Sequence, residues 1–563
     1  LVECFSAKFP FSNTLKHKEK VSIKFLSGTI AFSNNFHINP NFWILKSWYK
    51  RHGKNADKVN WLPAIHCNVN LNESKIKELV DLEKPDIICF GLYIWNYNLY
   101  SRLGKYIKKN WPNIIIVAGG PEIYAHKELN LFWESNSWID IAIYGDGEEA
   151  FTTIIDTIID STTANQTANN ISYVKDNTAI LEPFKRFKNA EFNLISPFLD
   201  NVDDVKFSIN QVKELIPHVE IVLNWEFTKG CPYSCSFCDW SSGLHHKVTR
   251  KEYDWKLDLD LFSSLDVTIR WVDANVGMFK DDVNVIKYGH QLEEKNPKFK
   301  LKFNNLAKLH KKAVFEIIDY IETVRTGEKV HNLAVQDISI EVLENINRPD
   351  VPWPEYKKYI VDTKSKHPNF TFDIEVMLGM PGQTLESFAE NLMEYIDTKP
   401  RAILAHIWCM LINSPGYNAD YRQQHGLRIE PALHITKIPK NLKTRDEVIQ
   451  HLDQCEYYAA STVVSTNTAS TGDIMSMYGM ALLYNNLYNI NKKVDVNLFR
   501  KVIFNFKYWK SFGNSISTVL ETDLQLRNSM LLLPEHYGIP VTFNDFFNSK
   551  ENTLNIIKSA YKS

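Results

Sequence analysis

The chain has 563 residues, 44% of them hydrophobic and 23% charged, with a formal net charge of −2. That length suits three or four domains at about 100–200 residues each, and the near-neutral balance excludes a globally basic nucleic-acid binder or a partner of anionic membranes. No apolar run approaches the ~18 residues of a membrane span, and the opening LVECFSAKFPFSNTLKHKEK lacks the layout of a signal peptide, so a cytoplasmic location without membrane attachment is expected.

The first elements alternate strand and helix. VSIKFLSG, from Val21, reads as a strand, and PDIICFGLY (85–93) and NIIIVAGGP (113–121) are short apolar runs of the kind buried parallel strands need. Between them LYSRLGKYIKKNWP is amphipathic and ends at Pro112. WIDIAIYGDGEEAF adds a strand, a glycine turn and a helix start, where Glu148 and Glu149 suit the positive end of the helix dipole. Such units predict an α/β fold that begins with a doubly wound, Rossmann-like domain over residues 1–185. The polar stretch STTANQTANNIS marks a loop or edge, and 186–220 reads as a connecting segment.

A second alternating series starts near residue 221. Its candidate strands are IVLNWEF (221–227), VTIRWVDA (267–274), KLKFNN (300–305), LAVQDIS (333–339), FTFDIEVML (370–378) and AILAHIWCML (402–411). Helical stretches such as KKAVFEIIDYIETV and TLESFAENLMEYI lie between them. Six strand–helix units predict a full or partial barrel of parallel strands over 221–414. Beyond it, DEVIQHLDQCEYYAASTVV and DVNLFRKVIFNFKYWKSF predict a helical C-terminal domain over 415–563. Met475, Met477, Tyr478 and Met480 fall there at helical spacing and read as core rather than pocket lining.

Of eight cysteines, Cys4, Cys67, Cys89, Cys409 and Cys455 are scattered, while Cys231, Cys235 and Cys238 fall within CPYSCSFCDW. A tight triplet in a large chain points to a metal site rather than a disulfide framework. It follows a predicted strand and Gly230, on the face where barrels of this type carry their chemistry. Three thiolates on one loop serve three irons of a cubane and leave the fourth open. A zinc knuckle with a distant fourth ligand is the alternative.

CPYSCSFCDW resembles the radical S-adenosylmethionine (SAM) signature. The resemblance implies a [4Fe–4S] cluster on Cys231, Cys235 and Cys238, SAM chelating the open iron, and Phe237 near the SAM adenine. LAVQDISIEVLENINRP (333–349) resembles the fourth-strand segment of the coproporphyrinogen dehydrogenase branch, which implies SAM contacts from Gln336 and Arg348; a planar guanidinium suits a carboxylate. FDIEVMLGMPGQT (372–384) resembles the fifth-strand motif of the same branch, with Glu375 toward the SAM ribose or amino group and Gly379 and Gly382 flanking a turn. WVDANVGMFKDD (271–282) resembles the second-strand segment of cobalamin-binding members and implies Asp273 and Asn275 near the SAM amino group; Asp-Ala-Asn is also ordinary turn chemistry.

FGLYIWN (90–96), AGGPEI (118–123) and YGDGEEAF (144–151), in that order, resemble the cobalamin-binding domain that precedes many radical SAM barrels. Tyr93, Trp95, Gly119, Gly120, Pro121 and Gly145 are the implied cobalamin contacts. The Asp-x-His-x-x-Gly string that supplies a cobalt ligand is absent, and His37 and His66 lack its context. The chain thus resembles the cobalamin-binding radical SAM enzymes of the class B methyltransferase type. The resemblance implies reductive cleavage of SAM to a 5′-deoxyadenosyl radical and cobalamin-dependent C-methylation of a small molecule or peptide. It also implies an electron donor such as flavodoxin or ferredoxin. A radical cyclase or rearrangement enzyme of the same architecture shares these motifs, and a non-catalytic cobalamin or cluster sensor is the alternative from another class.

Overall fold

The computed structural model describes residues 8–29, 31–32, 35–68, 73–123, 129–160, 168–186, 194–241, 248–303, 306–308, 312–324, 330–348, 351–433, 459–491, 495–522 and 555–560. Of the scattered cysteines, Cys4 and Cys455 lie outside these residues.

The first sheet is built around parallel strands. In space Val59–Trp61 lies beside Val21–Thr29, followed by Ile87–Gly91, Ile115–Gly119 and Ile141–Ile143. Ile65–Asn68 extends the pairing of Val21–Thr29, and the antiparallel strands Ile171–Lys175 and Thr178–Leu181 close the far edge. Ile87, Ile88, Ile116 and Ile141 are fully buried, as strands covered on both faces require. Helix Tyr97–Asn110 packs Leu99, Leu103 and Ile107 on one face, and helix Glu148–Ile159 packs Phe151, Ile154 and Ile158 on the other. The strand order reverses between Val21–Thr29 and Ile87–Gly91. That is a topological switch point, where the loops after neighbouring strands diverge and leave a crevice.

The barrel strands form two parallel runs: Glu220–Trp225, Thr268–Trp271 and Lys300–Phe303, then His331–Gln336, Phe372–Leu378 and Ala402–Ile407. A single parallel bridge between Val276 and Leu306 continues the contact of Thr268–Trp271 with Lys300–Phe303 beyond their strand ends. Cap chemistry marks helix starts that the sequence spells out. Asp254 accepts from Lys256 N–H ahead of Trp255–Ser264, and Thr384 and Ser387 form a reciprocal capping box on Leu385–Asp397.

Two features depart from the sequence expectation. Asn35–Ile38 pairs in parallel with Glu220–Trp225, with Phe36 opposite Ile221 and Ile38 opposite Leu223. A segment assigned by sequence to the first domain therefore extends the barrel sheet, and a division at residue 185 does not separate the two sheets. Second, Ala459–Ser465, expected to be helical, is a strand between Cys409–Met410 and Arg428–Leu433. Its Ser-Thr-Val-Val run suits a pleated surface, and pairing prevails over the helical pattern of the residues before it; residues 446–458 of that expected helix lie outside the described residues. Arg428–Leu433 is likewise a strand within the span expected to be helical, and the described residues after Ser465 are helical through Thr471–Asn491, Val496–Ile503 and Phe506–Thr522. Met475, Met477, Tyr478 and Met480 are buried in the core beneath the last barrel strands. Among the described residues no helix is long and apolar enough to cross a membrane.

The shared strand gives a test. Phe36 is fully buried, and Phe36→Ala is expected to cost about 3–5 kcal/mol. The loss should be seen in the thermal unfolding of the barrel as well as that of the first sheet.

Candidate functional site between the first sheet and the cysteine loop

Strand Glu220–Trp225 ends at Glu226, and the chain turns through Gly230, at φ 91°, into the cysteine loop. Cys231 and Cys235 are buried and Cys238 is half-buried. Cys238 N–H donates to Cys235 O at 3.1 Å, which curls the loop. Ser236 fastens it on two sides: its N–H donates to Ile346 O at 2.8 Å, and its carbonyl accepts from Gly416 N–H at 2.7 Å. A Cβ on Gly416 would lie 2.8 Å from that carbonyl and 2.5 Å from the Trp408 ring, so glycine is needed for the approach. Burial pushes the Cys238 thiol up to about 12, and the nearby Cys235 and Cys231 sulfurs act in the same direction. Among the described residues no three acidic, cysteine or histidine side chains close on a single metal ion. A three-thiol donor set on one curled loop fits a polynuclear iron–sulfur cluster.

Three of the expected SAM contacts gather beside this loop. Arg348 Nη2 donates to Ala334 O at 2.6 Å, and its Nη1 lies 4.0 Å from Cys235 Sγ. Ala334 pairs across the sheet with Glu375, whose carboxylate accepts from Asn332 at 3.1 Å. Burial and then Asp373 raise the Glu375 pKa, against the pull of Arg348. Gln336 ends its strand at φ 67°, where the register shifts. A glutamine held in the left-handed region stores strain of the kind found at functional sites. Phe237 packs between Trp408 on one side and Ile346 and Met380 on the other. Asp273 is placed differently. It is 2% exposed, and its carboxylate accepts from Phe227 N–H at 2.7 Å, which ties the first barrel strand to the second. The neighbouring Asn275 is the residue that reaches the loop, donating to Cys231 Sγ at 3.3 Å.

Facing the loop is a cavity at the switch point of the first sheet. Tyr93, Gly119, Gly120, Pro121 and Gly145 line it, together with Gly230 and Trp240 from the cysteine loop. Trp95 lies behind Tyr93, the rings stacked at 4.7 Å and 11°. Asn96 fixes the turn between them by accepting from Tyr93 N–H and donating to Gly91 O. Gly120 has φ 110°, and a Cβ there would lie 2.4 Å from Leu92 O. The wall is therefore bare backbone where a flat ligand would approach. Neither His37 nor His66 lines the cavity. Burial lowers His66 to about 4, and His37 bonds Asn224 at the barrel edge.

A charged group absent from the sequence reading joins the two parts. Lys229, two residues before Cys231, pairs with Asp146 at 2.7 Å and Glu148 at 3.5 Å. Burial alone would lower its pKa, but Glu148, Asp146 and Glu226 outweigh burial and raise it. Burial lowers the adjacent Lys251 to about 7, although Glu148 and Glu226 oppose the shift. A lysine just ahead of Gly-Cys and the acidic YGDGEE turn were the available signals. Asn413, which donates to Pro121 O at 2.7 Å and Ile123 O at 2.9 Å, had none, because it is distant in sequence from both.

Comparison with known proteins agrees with this geometry. Residues 56–155 match the B12 binding domain family. Over 363 residues the chain is 25% identical to the cobalamin-dependent radical SAM methyltransferase TokK of Streptomyces tokunonensis, covering 63% of this chain and 52% of that protein. Over 412 residues it is 24% identical to the 2-(S-pantetheinyl)-carbapenam-3-carboxylate methyltransferase of Streptantibioticus cattleyicolor, covering 72% and 57%. The chain thus spans little more than half the length of these relatives. The fold is similar to that of TsrM from Kitasatospora setae with cobalamin and [4Fe–4S] cluster bound, with TM-score 0.52, 12% identity and coverage of 88% of this chain and 99% of that one. It is also similar to OxsB with aqua-cobalamin bound, with TM-score 0.50, 13% identity and coverage of 97% and 80%.

The lysine pair gives two tests. Lys229→Met strands Asp146 and Glu148 as buried anions, at an expected cost of about 3–5 kcal/mol, read as a lower midpoint in chemical unfolding. For Lys251 the folded value is near 7 and the ordinary value 10.5. Between these the unfolded chain holds a proton that the folded chain has lost, so this group makes stability rise with pH across that window. The rise should be smaller in Lys251→Met than in the parent when unfolding midpoints are compared from pH 7 to 10.

Proposed function

We propose that the chain is a radical SAM enzyme with a cobalamin-binding domain, and that it is a cobalamin-dependent methyltransferase acting on an unactivated carbon of a small molecule or peptide; its similarity to the B12 binding domain and to two methyltransferases supports this reading. The observation that carries this reading is the single cavity walled by the glycine turns of the first sheet and by the cysteine loop. A corrin at the switch point and a cluster on Cys231, Cys235 and Cys238 would then face a common space. When bound, the cluster supplies an electron for cleavage of SAM, and the corrin supplies a methyl group.

The chain's own residues do the positioning. Gly119, Gly120, Pro121 and Gly145 present backbone to the corrin, with Tyr93 and Trp95 as a stacked wall. Arg348 offers its guanidinium to the SAM carboxylate, and Glu375 and Gln336 face the nucleoside side of the same site. Asn275 and Ser236 hold the cysteine loop. Burial of the surrounding strands excludes water from the reacting centres. An electron donor of the flavodoxin or ferredoxin type completes the reaction. A sensor has no need of Gln336, Arg348 and Glu375 gathered beside the loop.

The test is anaerobic purification, cluster reconstitution, incubation with hydroxocobalamin, and an absorption spectrum after desalting. A stoichiometric corrin band together with formation of 5′-deoxyadenosine from SAM is expected. Alanine at Cys231, Cys235 or Cys238 should remove the iron–sulfur absorbance and SAM cleavage while the corrin stays bound. Arg348→Lys loses the planar fork and should weaken SAM binding by about tenfold, as measured by equilibrium dialysis. Retention of no corrin would sink the methyltransferase reading.

A further inference from the structure

One buried cation beside the cysteine loop has no part in the proposed function. Lys308 lies just beyond the third barrel strand, Lys300–Phe303, and is 6% exposed. Its Nζ stands 4.0 Å from the centroid of the Tyr233 ring. Tyr233 is the midpoint of the loop between Cys231 and Cys235. Two other cations near the loop are engaged elsewhere: Lys229 pairs with Asp146 and Glu148, and Arg348 donates to Ala334 O.

The backbone that carries Lys308 is pinned to the same part of the loop. Ala307 N–H donates to Val276 O at 2.7 Å, beside the bridge of Leu306 to Val276. The residue before Val276 is Asn275, whose side chain donates to Cys231 Sγ at 3.3 Å. The exits of the second and third barrel strands are thus tied together. Each sends one side chain to the loop: Asn275 to a sulfur, and Lys308 to the ring between two cysteines.

Both contacts act in one electrical direction. Three thiolates give a bound cluster excess negative charge, and reduction adds one charge more. A hydrogen bond to a sulfur and a fixed cation nearby each favour the more negative form, most strongly where water is scarce. An aromatic face seats an ammonium without neutralising it, as a carboxylate would.

We propose that Lys308 is a positioning residue for electron entry. Seated on Tyr233, its charge raises the reduction potential of the cluster, so that one electron passes to it more readily from a reduced flavodoxin or ferredoxin ahead of SAM cleavage. This rests on the reading of Cys231, Cys235 and Cys238 as cluster ligands and adds what sets the potential of that cluster.

The test is a redox titration, followed by electron paramagnetic resonance, of the full chain reconstituted with its cluster in the absence of SAM. Lys308→Met is expected to lower the reduction equilibrium constant about tenfold, which is about 59 mV for one electron. Lys308→Arg keeps the charge and should stay within about twofold of the parent. Tyr233→Leu leaves the lysine but removes its seat, and should lower the potential as well. A Lys308→Met midpoint equal to that of the parent overturns the proposal, and so does a Lys308→Arg midpoint that falls as far as the Lys308→Met one. If Lys308→Met holds no cluster, Tyr233→Leu decides, and an unchanged midpoint there overturns the proposal. The iron–sulfur absorbance of the parent separates the two readings. A parent without a cluster overturns both, whereas a parent cluster whose potential is indifferent to Lys308 and Tyr233 removes this inference alone.

Discussion

The ion pair from Lys229 to Asp146 and Glu148 sets the geometry on which the site depends. The lysine stands two residues before Cys231; Asp146 lies in the turn after the strand Ile141–Ile143 and Glu148 opens the helix that follows. Removing one partner of such a group strands the other, so neither side can shift freely once the contact forms. The cysteine loop is thereby held to the crevice of the first sheet. Ser236, bonded to Ile346 and Gly416, holds its other side to the barrel and to the segment that leaves it.

With the loop fixed, backbone shape decides what the cavity can take. Gly120 and Gly416 are both positions where a side chain would strike a carbonyl oxygen. One thins the wall at the sheet and the other lets the tail close on the loop. Asn413 adds a tie between Pro121 and the end of the barrel. Three segments distant in sequence thus meet around one space.

How much of this was legible follows from distance along the chain. The cysteine spacing, the glycine turns and the apolar strands are local patterns, and each is found where the sequence indicates. Gln336, Arg348 and Glu375 were placed by motif, and the structure brings them to one edge of the loop. Asp273 was read into the same group, yet it spends its carboxylate on Phe227 N–H; the sequence shows an Asp-Ala-Asn turn but not which of the two polar residues faces inward. Asn35–Ile38 was placed in the first domain by its position, because its partner Glu220–Trp225 lies far along the chain. Ala459–Ser465 was read as helical, but its pairing with Arg428–Leu433 makes it a strand; propensity yields to such pairing.

The pairing of Asn35–Ile38 with Glu220–Trp225 also bears on how the protein is made. The earlier strand is synthesised roughly 185 residues before its mate, a delay on the order of ten to forty seconds at ribosomal speed. Within that interval the parallel strands of the first sheet are completed, the last being Ile141–Ile143, while Phe36 and Ile38 have no barrel strand to pair with. Joining such distant segments carries a large loop-closure cost and slows folding. The nascent chain therefore passes through a stage in which an apolar strand edge, later sealed inside the fold, is open to chaperones or to a neighbouring copy. Slower translation or chaperone supply should decide the yield of soluble protein more than the stability of the finished fold.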